Sequence, residues 1–130
     1  MTIKVYPASK LHHAGLWHKW REEWAKDDIV IVARWPFSHV GTVPDRSHFA
    51  KVFWQHDLED VTEANVVLVY AIDNEHLKGA LVEAGMAIAL GKHVIVVGIH
   101  PDYSTWQYHP LVHRVPDLED ATTLMKCLNM

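Results

Sequence analysis

Val66-Val67-Leu68-Val69-Tyr70, then Leu77-Lys78-Gly79-Ala80-Leu81-Val82-Glu83-Ala84-Gly85-Met86-Ala87-Ile88-Ala89-Leu90-Gly91-Lys92, then His93-Val94-Ile95-Val96-Val97-Gly98 is the stretch that decides the fold. Its two ends are short apolar runs rich in β-branched residues, the pattern of parallel strands covered on both faces. The middle carries Leu81, Val82, Ala84, Met86, Ala87 and Leu90 at helical spacing and stops at Gly91-Lys92. Strand, helix and strand in this order form a βαβ unit, whose crossover is right-handed.

Reading outward, the same alternation recurs. Residues 3–6 and 29–35 have strand character, and the helical pattern over 11–26 sets Leu16, Trp17, Trp20 and Trp24 on one stripe. A second helical pattern over 45–64 repeats Phe49, Val52, Phe53, Leu58 and Val61. Residues 111–115 supply a fifth strand, and Asp117-Leu118-Glu119-Asp120 starts a last helix with carboxylates at its positive end. The sequence therefore predicts a single α/β domain over residues 1–130. It is flavodoxin-like (Rossmann-like), a five-stranded parallel sheet in the order 2-1-3-4-5 with helices on both faces. Ligands of such sheets bind beyond the carboxyl ends of the strands, which directs attention to residues 6–10, 35–45, 71–83 and 98–109. The ten residues 35–44 are long enough for a binding loop.

Composition narrows the function. The 130 residues include 12 Lys+Arg against 16 Asp+Glu, a formal charge of −4, with 49% apolar and 22% charged residues. That balance belongs to a globular chain and argues against binding a nucleic-acid polymer, since no basic block is available to meet phosphates. Cys127 is the only cysteine, so neither an internal disulfide nor a thiolate zinc cluster is possible. No apolar run approaches a membrane span, and the chain opens on a β-like run without a leader pattern, so the expected location is the cytoplasm. Gly-x-Gly-x-x-Gly and phosphate-loop motifs are absent, and no cofactor is expected.

Two carboxylates stand out. Glu83 lies in an early turn of the third helix among small and apolar residues, where partial burial and the helix N-terminus act on it in opposite directions. Asp57, in Gln55-His56-Asp57-Leu58-Glu59-Asp60, lies in the middle of the second helical pattern and can reach the same sheet edge only through a break or bend. A carboxylate pair can divide labour between nucleophile and acid, although a solvated acidic helix face is the simpler account of Asp57. Trp35, before the long loop, is a candidate surface for stacking a base, whereas Trp17, Trp20 and Trp24 suit a core or a subunit interface. Lys78 with the helix amides, and Ser9 with Lys10, are candidate anion partners, and His100 is a candidate substrate contact. The 11 histidines suggest no metal: His12-His13 and His109 with His113 lack an obvious third ligand.

Three blocks in order resemble the nucleoside 2-deoxyribosyltransferase-like family, which includes deoxynucleoside 5'-monophosphate N-glycosidases. They are Tyr6-Pro7-Ala8-Ser9, Asp57-Leu58 leading to Ala64-Asn65-Val66-Val67-Leu68-Val69, and Gly79-Ala80-Leu81-Val82-Glu83-Ala84-Gly85-Met86-Ala87 up to Gly91-Lys92-His93-Val94. The resemblance implies cleavage of the bond between C1' of a (deoxy)ribose and a base. Glu83 matches the nucleophile, Asp57 the acid that assists the leaving base, and Tyr6 the tyrosine that positions the nucleophile. Gly79 falls in the matched block beside the substrate. Leu77 departs from the pattern where the transferases carry an acid, and Leu77-Lys78 replaces the serine that helps hold the 5'-phosphate in the monophosphate hydrolases. Hydrolysis is thus slightly favoured over base transfer. Family members are usually oligomeric, so a homodimer or larger assembly is expected. A nucleotide-sensing domain without turnover and an NAD glycohydrolase are the alternative functions.

Overall fold

The computed structural model describes residues 1–38, 46–73, 75–98, 104–128 and 130, with the backbone alone described at 46–48. Five parallel strands, β1 Ile3–Ala8, β2 Ile29–Ile31, β3 Val66–Tyr70, β4 His93–Val97 and β5 Val112–Val115, form one sheet in the order β2-β1-β3-β4-β5. Helices α1 Ala14–Ala25, α2 Arg46–Glu63, α3 Gly79–Ala89 and α4 Leu118–Cys127 cover it. Helices α2 and α3 pack on each other. The Trp24 indole N–H of α1 donates to Thr122 Oγ1 of α4 at 2.8 Å.

The predicted order and helix count agree with this architecture, and the departures are local. The strand expected over 29–35 ends at Ile31, and Trp35–Phe37 forms a 3₁₀ turn instead. Two pulls on the chain account for it. The Arg34 backbone N–H donates to the buried Asp60 carboxylate at 2.9 Å, and Pro36 has no N–H to offer a ladder. At its start, the helix expected over 11–26 is a 3₁₀ turn, Leu11–His13, that precedes α1.

Strand β1 runs past Tyr6 to Ala8 despite Pro7. Within β1 the Val5 carbonyl accepts from Val32 on the β2 side, and the Lys4 carbonyl accepts from Asn65 on the β3 side. Alternation points Pro7 to the β2 side, above the end of β2, where its carbonyl accepts the Trp35 indole N–H at 2.8 Å.

The core follows the central strands. Val5, Tyr6, Val66, Val67, Leu68, Val69, Val94, Ile95 and Val96 are fully enclosed, as are Trp17 and Trp24 of α1, whose rings stack with centroids 6.0 Å apart. These two tryptophans belong to the core, and truncating either to alanine costs about 3–5 kcal/mol. Among the described residues no helix is long and apolar enough to cross a membrane.

Candidate active site

Helix α3 turns Ala80, Ala84 and Ala87 toward the sheet, and such small side chains let the helix lie close to β1 and β3. Glu83 shares that inner face and is only 6% exposed. There it meets Tyr6 of β1, whose hydroxyl donates to Glu83 Oε2. Burial pushes the Glu83 carboxyl up to about 8. The Tyr6 donor and the N-terminal amides of α3, which no side chain caps, work in the opposite direction by favouring the anion.

Asp57 reaches the same cavity without the break in the helix that the sequence reading allowed for. Helix α2 is continuous from Arg46 to Glu63, and it packs on α3 so that Asp57 and Glu83 line one cavity. Nor is its acidic neighbourhood a simple solvated face. Asp60 is buried and receives Arg34 Nε at 3.0 Å, Glu59 receives Arg34 Nη2 at 2.8 Å, and Glu63 receives Lys4 Nζ at 2.6 Å. Asp57 alone of the four has no hydrogen bond or ion pair among the described residues. Burial, followed by the negative charge of Asp60, pushes it up to about 6. A proton can therefore reside on Asp57 far more readily than on an ordinary aspartate.

The cavity holds about 700 Å³, within the range of roughly 300–1,000 Å³ that small-molecule sites occupy. Ser9, Lys10, Trp35, Lys78 and Gly79 all line it, together with Asp57 and Glu83. His100 lies outside the described residues. The Ser9 hydroxyl accepts the Trp17 indole N–H at 2.9 Å and donates to the Lys10 carbonyl at 3.2 Å, whereas Lys10 and Lys78 are exposed at the rim.

Trp35 is a buried part of the wall, 7% exposed with its N–H committed to Pro7, and is not the open stacking surface expected. That surface comes from α2. Trp54, 39% exposed, faces Gly79, where an added Cβ would lie 3.3 Å from Trp54 Cη2, and Phe49 and Phe53 pair with centroids 4.3 Å apart. The spacing of Phe49 and Phe53 was visible in the sequence as an apolar stripe. Spacing does not distinguish a stripe that packs on the core from one that lines a cavity.

A second cavity of about 660 Å³ opens where the carboxyl ends of β3 and β4 meet α1 and the start of α4, lined by Lys19, Trp20, Asp73, Gly98, Asp117 and Glu119 among others.

No family model matches this chain, and no curated protein matches it. A crystal structure of a conserved protein from Enterococcus faecalis V583 is similar over 98% of this chain and 99% of that one, with a TM-score of 0.67 at 16% identity. The likeness establishes the fold.

Proposed function

We propose that the protein cleaves the N-glycosidic bond of a (deoxy)nucleoside or its 5'-monophosphate, with Glu83 as nucleophile, Asp57 as acid and Tyr6 as the residue that positions Glu83. The observation that carries this reading is a buried, tyrosine-bound carboxylate sharing one cavity with a half-buried one that has no hydrogen bond or ion pair among the described residues. In the first displacement a Glu83 oxygen bonds to C1', the bond from C1' to the base nitrogen breaks, and the Asp57 proton goes to the departing base. In the second, water attacks C1', Asp57 takes its proton, and Glu83 leaves as carboxylate, so configuration at C1' is retained. Trp54, Phe49 and Phe53 offer flat apolar surface to a base, and Lys10 and Lys78 at the rim suit a 5'-phosphate. Leu77 gives the wall an apolar side chain where the resembling transferases carry an acid, which favours water as acceptor.

The two acidities impose a pH dependence. Glu83 must be ionised, which burial delays to about pH 8, and Asp57 must be protonated, which it is below about pH 6. The active form is a minority between those values, and turnover follows a bell with limbs near 6 and 8.

The test is chromatographic analysis of products from ribo- and deoxyribonucleosides and their 5'-monophosphates, with and without a second free base. Release of base by the wild type, and none by Glu83→Ala, is the expected result. A new nucleoside formed only with added base would move the activity to transfer. The neutral Glu83 favoured near pH 7 supports one second reading, a domain that binds nucleotide without turnover. In that case calorimetry detects binding and chromatography detects no product at any pH.

Leu58 on α2 and Val82 on α3 are exposed apolar side chains on two helices that pack together, and they support a homodimer through this surface.

A further inference from the structure

His12 and His13 end the 3₁₀ turn that follows β1, and Glu75 lies in the connection after β3, 62 residues from His13 along the chain. The fold brings all three together. His13 Nε2 is 2.7 Å from Glu75 Oε1, and His12 Nε2 is 3.1 Å from Glu75 Oε2. From this convergence we propose that His12, His13 and Glu75 form a binding site for a zinc-class divalent cation, held by two imidazole nitrogens and one carboxylate.

The donor set has the composition that zinc accepts, two His nitrogens and a carboxylate oxygen, with a fourth position left for water or an anionic oxygen. Its ligand atoms lie within 4.8 Å of one another. A tetrahedral ion with bonds of about 2.0–2.2 Å holds neighbouring donors roughly 3.3–3.6 Å apart, so the two His–Glu contacts, at 2.7 and 3.1 Å, must open and the donors farthest apart, up to 4.8 Å, must draw together. Two of the ligands are already oriented. The Ile72 backbone N–H donates to Glu75 Oε1 at 2.8 Å, the kind of outer contact that fixes a ligating carboxylate, and His13 is buried with its ring T-shaped to that of Tyr70, centroids 5.1 Å apart. The sequence showed adjacent histidines without a third ligand because the third comes from a different strand end. The other close histidine pair, His93 Nδ1 and His113 Nε2 at 3.0 Å, gains no third donor among the described residues.

The ion would clamp the end of β1 to the connection after β3. These two segments also carry Ser9, Lys10 and Lys78 of the cavity, and His12 itself lines that cavity, so the metal firms the rim where substrate enters.

The experiment uses the full chain, freed of any affinity tag and treated with chelator, titrated with Zn²⁺ by calorimetry and with Co²⁺ by visible absorption. One equivalent should bind, with cobalt ligand-field bands and a higher melting temperature, and Mg²⁺ should not compete. His12→Ala, at an exposed position without folding liability, and Glu75→Gln should each weaken binding by at least about tenfold. His113→Ala should leave it unchanged. Absence of binding to the wild type, binding indifferent to His12→Ala, or binding abolished by His113→Ala would overturn the assignment. Because binding and melting are read directly, loss of this site is distinguishable from loss of glycosidase activity.

Discussion

Two cavities of similar size open at the carboxyl edge of one sheet, about 700 Å³ beside α2 and α3 and about 660 Å³ beside α1 and α4. Both satisfy the rule that ligands gather beyond strand ends, yet their acids are in opposite situations. In the second cavity Asp73, Asp117 and Glu119 are exposed, and Asp117 accepts the Asp120 N–H at 2.8 Å to cap α4. In the first, Glu83 is sealed against the sheet and Asp57 has no ion pair among the described residues. Position and volume make a cavity, and desolvation sets the acidity of its carboxylates.

The largest test of that contrast is Glu83→Gln, which should lower base release by more than roughly a thousandfold, measured by chromatography under single-turnover conditions. The same substitution should stabilise the fold. A carboxyl whose folded acidity lies near 8 instead of 4.5 contributes stability that is complete below about pH 4.5 and is lost as the pH rises through 8. Glu83→Gln removes that loss, so denaturant melts at pH 9 should favour the variant by up to about 5 kcal/mol, with little difference at pH 4.

Asp57→Asn should lower turnover by about 10²–10³-fold and reshape the pH profile. Without a group that must hold its proton, the fall above pH 8 disappears and a simple rise through pH 8 remains. An unchanged bell would remove Asp57 from the acid role. Lys78→Ala should cost about tenfold in kcat/KM on nucleoside monophosphates and almost nothing on nucleosides, a split that equal losses on both would contradict. At the bottom of the scale, Asp73→Asn in the second cavity should leave turnover within about twofold. A larger loss there would erase the distinction between the two cavities.

The fold was legible because continuous apolar runs and helical stripes alternate along the chain, and short-range patterns of that kind need no tertiary knowledge. The end of β2 at Ile31 was less so, because it depends on Asp60, 26 residues beyond Arg34, capturing the Arg34 N–H. Among candidate site residues, the sequence singles out Glu83 and Tyr6 in separate blocks, and the fold sets them in contact. The solvated-face account of Asp57 failed for a long-range reason, since whether a helical acid is neutralised depends on cations such as Arg34, from the segment after β2, and Lys4 of β1. Trp54 was missed because it becomes a cavity wall only once α2 packs beside the start of α3. Glu75 illustrates the same limit, as nothing near it in sequence links it to His12 and His13.

Pro7 in the second central strand from the edge has one more consequence. Above Ile31 the upper half of β1 has no strand beside it on the β2 side among the described residues, and such an open stretch of ladder ordinarily invites an incoming chain. Here the residue facing the opening lacks an N–H, and its carbonyl is already held by Trp35. The opening is closed to strand addition, so the fold can keep β2 to three residues, and leave room for the turn at Trp35, without creating a template for aggregation.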